Sequence, residues 1–286
     1  MYQEYRPSRF QILPPVVKNL LIINGIMYLI TVVLAQKFDF DLTDVLGLHY
    51  PLSEKFKPFQ LISYMFMHGS LMHLIFNMFA LWMFGNALEN LWGPKRFFIY
   101  YLITGIGAVL THYAIAYFQY QPTIEFIDNY INHPSLPIFQ DIIKSNQIKP
   151  ISQDVVDHYN SLIPKAFNQA LSQNNISEAI NISVDFMKLY REDFLNASVV
   201  IGASGSVFGI LVGFGMLFPN TQLIIIPFPF PIKAKYAVIL YGFVELFLGV
   251  ANFSGDNVAH FAHLGGAIFG FIVIKYWNKR NRTQFY

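Results

Sequence analysis

The chain has 286 residues, of which 54% are hydrophobic and only 13% are charged, and its mean hydropathy is +0.40. A soluble domain carries about 25% charged residues, so this apolar surplus excludes an ordinary water-soluble core and indicates a membrane protein. The net charge of +2 without a basic stripe argues against nucleic-acid binding, and the absence of cysteine excludes disulfides and thiolate metal sites.

The apolar residues lie in six blocks, and each block is close to the ~20 residues that a helix needs to cross a bilayer. The sequence therefore predicts an all-α integral membrane protein with six spans: Lys18 to Ala35, Ser70 to Leu88, Arg96 to Phe118, Val199 to Phe218, Ala234 to Ala251 and Val258 to Trp277. The first block is followed by further spans and lacks a small-residue cleavage pattern, so we expect it to remain as a span.

The distribution of basic residues along the chain indicates how it is oriented. They concentrate at the two ends of the sequence and in the second and fourth connections, which hold Lys95, Arg96, Lys233 and Lys235. Because cytoplasmic connections carry the excess of Lys and Arg, both termini are predicted to lie in the cytoplasm. An even number of spans agrees with this. The expected location is a bacterial cytoplasmic (inner) membrane.

The second span begins with His68-Gly69-Ser70-Leu71-Met72-His73 and continues to Asn77. His73 and Asn77 are four residues apart, so they share one face of a helix, and both side chains can donate hydrogen bonds. Either residue alone is compatible with a bond to a neighbouring helix. The pair becomes a candidate for stabilising an oxyanion when a nucleophile lies at the same membrane depth.

A long polar segment, Gln119 to Ser198, separates the third and fourth spans. We predict a small helical insertion on the non-cytoplasmic face, in which Ser177 caps a helix with apolar residues at helical spacing. Residues 1–118 and 199–286 are then expected to form one domain that residues 119–198 interrupt. Two roles of the insertion stay open: a decoration, or a lid or substrate-docking module.

Two apolar spans open on residues that can carry hydrolytic chemistry: Gly202-Ala203-Ser204-Gly205 on the fourth span and His260-Phe261-Ala262-His263 on the sixth. Glycines then recur every four residues along both spans, at Gly205, Gly209 and Gly213 and at Gly266 and Gly270. Such spacing forms a groove that lets two membrane helices approach closely. His263 shares the glycine face, so close packing is expected to bring it within hydrogen-bond distance of Ser204.

A serine hydroxyl is a weak nucleophile until a base takes its proton, and His263 can serve as that base for Ser204. The sequence shows no acid suited to complete a triad, since Asp256 lies in or near an outer loop and Glu245 lies midway along the fifth span. A Ser-His dyad is the economical prediction, because a third buried charge adds desolvation cost. Glu245 is expected to pair with a polar neighbour in the bundle.

These motifs resemble those of the rhomboid family of intramembrane serine proteases, and they occur in the family's order. The matching segments are Gly202-Ala203-Ser204-Gly205 for the nucleophile motif, Ala262-His263-Leu264-Gly265-Gly266 with Gly270 for the alanine-histidine-glycine motif, His73 to Asn77 for the histidine-asparagine pair, and Glu89 to Arg96 for the turn after that helix. The resemblance covers the six spans and leaves out Gln119 to Ser198.

The resemblance implies a rhomboid-like six-transmembrane-helix bundle in which Ser204 is the nucleophile and His263 is the general base. His73, Asn77 and the backbone amide of Ser204 would form the oxyanion hole. Phe208 stands where many members carry a tyrosine that stacks on the catalytic histidine, so stacking is expected without the hydroxyl. The family's frequent tryptophan-arginine pair in the first outer loop is missing near Phe56 to Phe59, which affects the expected anchoring of that loop.

The predicted function is that of a serine endopeptidase that cleaves single-pass transmembrane proteins in or near their membrane segments. Its expected partners are these substrates and the surrounding membrane lipids. The resemblance implies substrates whose cleavage region is unwound by Gly, Pro or polar residues, with a small residue before the cut. The fifth span and the following loop, Ala251 to Asn257, are expected to form a mobile gate, with Gly255 making the loop pliable.

Two alternatives belong to other classes of protein. A catalytically inactive rhomboid-like protein that binds membrane clients usually lacks the serine or the histidine, and both are present here. A small polytopic transporter predicts internal repeats and charged residues near mid-membrane, and the halves of this chain show no repeat. Neither metal nor cofactor is predicted, because the histidines show no HExxH pattern and no matching carboxylate ligand.

Overall fold

The structure, a computed structural model, describes residues 11–145, 155–157, 160, 162–224, 230–251 and 259–282. Helices dominate these residues. The helices of the first half are α1 (Pro15–Phe38), α2 (Leu42–Leu46), α3 (Gln60–Ser63), α4 (Leu71–Ala80), α5 (Asn86–Trp92) and α6 (Pro94–Asn132). A 3-10 turn at Tyr64–Phe66 follows α3, and a π-helical turn at Leu81–Gly85 joins α4 to α5.

In the described part of the second half, helices of different lengths are followed by three apolar ones. They are α7 (Leu136–Lys144), a π-helical turn (Leu162–Phe167), α8 (Asn168–Ser172), α9 (Ile176–Asn196), α10 (Ser204–Leu217), α11 (Ala234–Ala251) and α12 (His260–Arg282). The described residues also form the short strands β1 (Leu48–His49), β2 (Val199–Val200), β3 (Gln222–Ile224) and β4 (Pro231–Lys233). β1 pairs with β2, and β3 pairs antiparallel with β4.

The chain divides into two compact units. Unit 1 is drawn from Met1–Leu48, Pro58–Ile115 and Val200–Tyr286, and unit 2 from His49–Lys57 and Ala116–Val199. The predicted insertion, Gln119 to Ser198, therefore falls within unit 2. The third predicted span ends at Phe118, whereas α6 continues to Asn132 with Pro122 inside it. The prediction places the end of the span where the sequence becomes polar. A helix does not have to end there, because its backbone hydrogen bonds can continue through polar residues.

Four helical segments of the described chain are long and apolar enough to cross a membrane: Pro15–Phe38, Leu71–Trp92, Pro94–Asn132 and Ala234–Ala251. The apolar α10 is shorter, with 14 residues. On α11 the large side chains of Phe243, Phe247 and Val250 are each more than 60% exposed. A continuous apolar surface of this kind is unfavourable in water and suits the hydrocarbon of a bilayer.

Glycines allow α10 and α12 to pack closely in unit 1. A methyl group added to Gly266 would collide with the backbone carbonyl of Gly205, and one added to Gly270 would lie 3.0 Å from the Cα of Gly209. The two backbones therefore touch, which confirms the predicted close packing of the glycine faces. Gly209 also packs against Thr104 of α6.

The start of α1 is fixed by a buried acid from α5. Glu89 is 2% exposed, and its two carboxylate oxygens accept hydrogen bonds from the backbone amides of Val16 and Val17 at 2.9 and 2.8 Å. The first amides of a helix have no intrahelical partner and carry partial positive charge, so a carboxylate stabilises them. Glu89 therefore has a structural role within unit 1.

Unit 2 has an aromatic core of the kind found in soluble domains. Phe139, Phe167 and Phe186 are at most 2% exposed, and Phe139 makes edge-on ring contacts with both of the others. Outside this core, the guanidinium of Arg191 donates to the carboxylate of Asp128, with 2.6 Å between Nε and Oδ1. Burial of this aromatic surface accounts for a compact fold of the unit.

The helix predicted after Ser177 begins earlier than expected. Asn175 is the N-cap of α9, and its side-chain oxygen accepts from the backbone amide of Glu178 at 3.2 Å. Ser177 lies inside the first turn, so the predicted cap is wrong by two residues. Asn and Ser are both good caps, and the sequence alone does not rank two such residues that lie two positions apart.

Candidate active site

A glycine with a positive φ positions the start of α10. Gly202 has φ of +121°, a conformation that L side chains rarely adopt, and its amide donates to the carbonyl of Tyr64 at 2.9 Å. The chain then turns through Ala203 into the helix, whose first residue is Ser204. The side chain of Ser204 is thereby presented at the positive end of an apolar helix, next to backbone amides without intrahelical partners.

Ser204 and His263 are brought together by the glycine contact between α10 and α12. The distance between Oγ of Ser204 and Nε2 of His263 is 2.8 Å, which is a hydrogen bond. His263 lies in the first turn of α12 and is 9% exposed, and Ser204 is half-buried. This is the geometry in which an imidazole can take a proton from a serine hydroxyl.

An acid completes the arrangement on the other side of the imidazole. Nδ1 of His263 lies 2.9 Å from Oε2 of Glu245, which projects from α11 and is 7% exposed. The expectation that no acid is suited to complete a triad is therefore wrong. Glu245 lies in the middle of α11, and His263 lies in the first turn of α12. Packing of the two helices brings these residues together, and residue spacing in the sequence does not predict that contact.

Glu245 also contacts a second histidine. Nδ1 of His260 lies 2.6 Å from the same Oε2 atom, and His260 is 7% exposed. The expectation that Glu245 pairs with a polar neighbour is confirmed, and its neighbours include the candidate base itself. A signal was present in the sequence: an acid inside an apolar span requires partners, and His260 and His263 are three residues apart on one helix face.

The imidazole of His263 is also held by an aromatic stack. The ring of Phe208 lies against it with 4.4 Å between centroids and 6° between planes. The ring of Tyr241 from α11 stacks on Phe208 in turn, with a centroid distance of 5.3 Å. The expected stacking at Phe208 is therefore present in the structure, and it restricts the orientation of His263 through contact on the ring face.

The candidate oxyanion donors lie on α4. A methyl group added to Gly202 would be 2.8 Å from Nε2 of His73 and 3.5 Å from Oγ of Ser204, so the His73 ring lies close to the serine. His68 is 1% exposed and contacts His73 edge-on at 5.0 Å. Asn77 is 6% exposed, and among the described residues its amide nitrogen has no hydrogen-bond partner. A buried, unpaired donor of this kind is available to an oxyanion.

Glu245, His260 and His263 also form a group of metal-ligand type within the described residues, with ligand atoms no more than 4.8 Å apart. Their atoms are already joined by the hydrogen bonds at 2.6 and 2.9 Å. These hydrogen bonds are sufficient to explain why the three side chains lie close together. The predicted gate loop, Ala251 to Asn257, lies outside the described residues except for Ala251.

Comparison with known proteins assigns the chain to a family. A family model described as the rhomboid domain matches residues 55–124 and 175–280, which together are more than half of the chain. The matched ranges contain Ser204, His263, His73, Asn77 and Glu245. The intervening residues, 125–174, fall within the predicted insertion. None of the curated proteins matches the chain.

Proposed function

The chain belongs to the rhomboid family, and from this premise we propose that it is an intramembrane serine endopeptidase that cleaves the transmembrane segments of other membrane proteins. One observation carries the proposal: the 2.8 Å hydrogen bond between Oγ of Ser204 and Nε2 of His263. The family consists generally of serine proteases that act within membranes. A half-buried nucleophile and a buried base, each near the start of an apolar helix, suit that reaction.

In the proposed reaction, Oγ of Ser204 forms a bond to the carbonyl carbon of the substrate while its proton passes to Nε2 of His263. The carbonyl oxygen becomes an oxyanion, which the side chains of His73 and Asn77 and the amide of Ser204 stabilise by hydrogen bonds. Collapse of this intermediate breaks the carbon–nitrogen bond, and His263 returns the proton to the leaving amine. Water then hydrolyses the acyl-enzyme by the same steps.

The proposed substrates are single-pass membrane proteins with a locally unwound cleavage region and a small residue before the cut. The proposed domain is a six-span bundle in which residues 119–198 are an insertion. Four helices with the length and hydropathy of a span support the membrane assignment. Both termini are proposed to be cytoplasmic in a bacterial inner membrane, because the Lys and Arg residues of the tails and of the second and fourth connections favour that side.

The orientation is tested with a single cysteine, which the chain otherwise lacks. Ser172→Cys replaces an exposed residue of the proposed insertion. A membrane-impermeant thiol reagent is expected to label this variant in intact spheroplasts. Labelling only after the membrane is opened would show that the topology is inverted.

The activity is tested by labelling purified protein with a fluorophosphonate probe, which reacts with an activated serine. The wild-type protein is expected to become labelled, and Ser204→Ala is expected to remain unlabelled. A correctly folded wild-type protein that neither labels nor cleaves a reporter transmembrane helix would favour the alternative of an inactive client-binding member. Labelling retained in Ser204→Ala would show that the nucleophile is a residue other than Ser204.

A further inference from the structure

We propose that Glu245 is a positioning residue for His263, so that the reaction uses a Ser204–His263–Glu245 relay of hydrogen bonds and not an isolated dyad. This inference rests on the proposed function and refines its site. Its basis is a continuous chain of contacts: 2.8 Å from Oγ of Ser204 to Nε2 of His263, and 2.9 Å from Nδ1 of His263 to Oε2 of Glu245.

The first step of the argument concerns the tautomer of His263. An ionised carboxylate can only accept hydrogen bonds, so Nδ1 of His263 carries the proton that points to Glu245. Nε2 of the neutral ring is then unprotonated and accepts from the hydroxyl of Ser204. Without the carboxylate, a neutral imidazole is free to place its proton on Nε2, where it cannot act as a base.

The second step concerns charge. When His263 takes the proton of Ser204 it becomes an imidazolium within a site that is largely closed to water, since His263 is 9% and Glu245 7% exposed. A carboxylate at hydrogen-bond distance stabilises that cation where solvent cannot. The interaction is stronger in the transition state than in the resting enzyme, so its loss is expected in kcat more than in KM.

The third step concerns what holds Glu245 itself. Oε2 accepts from Nδ1 of His260 at 2.6 Å as well as from His263, and these two histidines lie one turn apart at the start of α12. Two donors to one oxygen restrict rotation of the carboxylate. They also stabilise the negative charge of Glu245, whose burial in an apolar helix would otherwise carry a high desolvation cost. His260 is thus a second positioning residue, which acts on His263 through Glu245.

The test compares Glu245→Gln and Glu245→Asp with Glu89→Gln as a matched control. Glutamine keeps the shape of the side chain but removes the charge, and its amide can donate to Nδ1 and favour the wrong tautomer. Replacing the acid of a serine-protease triad by its amide lowers kcat by about 10⁴. We expect a fall on the order of 100-fold for Glu245→Gln, because the stack of Phe208 still orients the ring.

Glu89→Gln also neutralises a buried acid of unit 1, but Glu89 caps α1 and does not touch the site. This variant is expected to have a lower Tm and an unchanged kcat. Glu245→Asp keeps the charge and is expected to recover part of the activity lost in Glu245→Gln. The readouts are kcat and KM on a reporter transmembrane helix, the rate of fluorophosphonate labelling, and the Tm of each protein.

The outcomes separate this inference from the proposed function. If wild type does not label, the proposed function fails, and with it the role of Glu245. If wild type labels and folded Glu245→Gln has the wild-type kcat and labelling rate, the protease assignment stands and the positioning role is overturned. An equal loss in Glu245→Gln and Glu89→Gln that follows Tm alone would also overturn it.

A measurement on the wild-type protein decides the matter if Glu245→Gln does not fold. Histidine labelled with ¹⁵N distinguishes protonated from unprotonated ring nitrogens by chemical shift, and the signals of His263 are assigned by their loss in His263→Ala. At a pH where the ring is neutral, we expect the Nδ1–H tautomer. The Nε2–H tautomer would overturn the proposal.

Discussion

Each of the two compact units of this rhomboid protein is stabilised internally by a different kind of contact. In unit 1, α10 and α12 meet backbone to backbone at Gly205 and Gly266. In unit 2, large rings such as Phe139 and Phe186 fill the core. The hydrophobic effect drives the second kind of packing in water, whereas lipid tails are as apolar as the side chains they contact. Membrane helices therefore associate through small residues and buried hydrogen bonds.

The difference also concerns chemistry. Every candidate residue of the site, including Ser204, His263 and Asn77, lies in unit 1. Close backbone contact leaves little freedom for the side chains near it, which suits groups that must keep a hydrogen bond of fixed length. We therefore expect substitutions at the site and at the glycine contact of unit 1 to affect catalysis strongly, and substitutions in the core of unit 2 to affect mainly the stability of that unit.

The largest effect is expected from the reacting pair. Ser204→Ala and His263→Ala should each abolish cleavage of a reporter transmembrane helix, because neither the nucleophile nor the base works alone. The Tm of both purified variants should stay close to that of wild type. Cleavage that persists in either variant would falsify the assignment of the pair.

The second largest effect is expected when a single methyl group is added to the glycine face of α12. Gly266→Ala places a Cβ against the backbone carbonyl of Gly205, which cannot move aside like a flexible side chain. We expect separation of α10 from α12, a strong loss of activity, and a loss of stability of about 1–3 kcal/mol. Gly242→Ala on α11 is the control, because nothing lies within 4 Å of its Cβ position. Equal Tm values for the two variants would contradict the proposed role of the glycine contact.

Loss of one oxyanion donor should lower turnover while leaving binding nearly unchanged. The side-chain nitrogen of Asn77 is buried without a partner among the described residues, so Asn77→Ala removes a donor without leaving another group unpaired. We expect kcat to fall on the order of 100-fold. Steady-state kinetics measure this, and a change confined to KM would indicate that Asn77 has a structural role.

A smaller effect is expected at the second histidine. His260→Ala removes one of the two imidazoles bonded to Glu245 but leaves His263 and its bond in place. Its loss of kcat should therefore be much milder than that of His263→Ala, on the order of 10-fold if one supporting hydrogen bond is removed. A reversed order, with His260→Ala more severe, would show that the base is assigned to the wrong histidine.

The smallest effect on catalysis is expected from the core of unit 2. Phe139→Ala empties a fully buried ring position and should destabilise unit 2 by about 3–5 kcal/mol. Fluorophosphonate labelling of Ser204 should stay within about two-fold of wild type, because no candidate residue of the site lies in unit 2. Ile138→Ala is the control, since its side chain is 49% exposed on the same helix. A loss of labelling specific to Phe139→Ala would make unit 2 part of the catalytic architecture.

Much of the site was predictable from spacing in the sequence. Glycines at intervals of four residues place Gly205 and Gly209 on one face, and Gly266 and Gly270 on another. Residues four apart lie on the same face of a helix. Faces of small residues let two membrane helices pack closely together. The pairing of Ser204 with His263 follows from that contact, since each residue lies near the start of its helix.

The sequence by itself determined the apolar segments, the glycine faces and the residues of the family motifs, because these depend on composition and on the period of a helix. Only the tertiary structure decided that Glu245 lies beside both His260 and His263, that Gly202 adopts a positive φ, and that α6 continues to Asn132. Contacts of that kind depend on the rotation and depth of one helix relative to another. Those quantities are set by packing of the whole bundle, and no interval within a single helix specifies them.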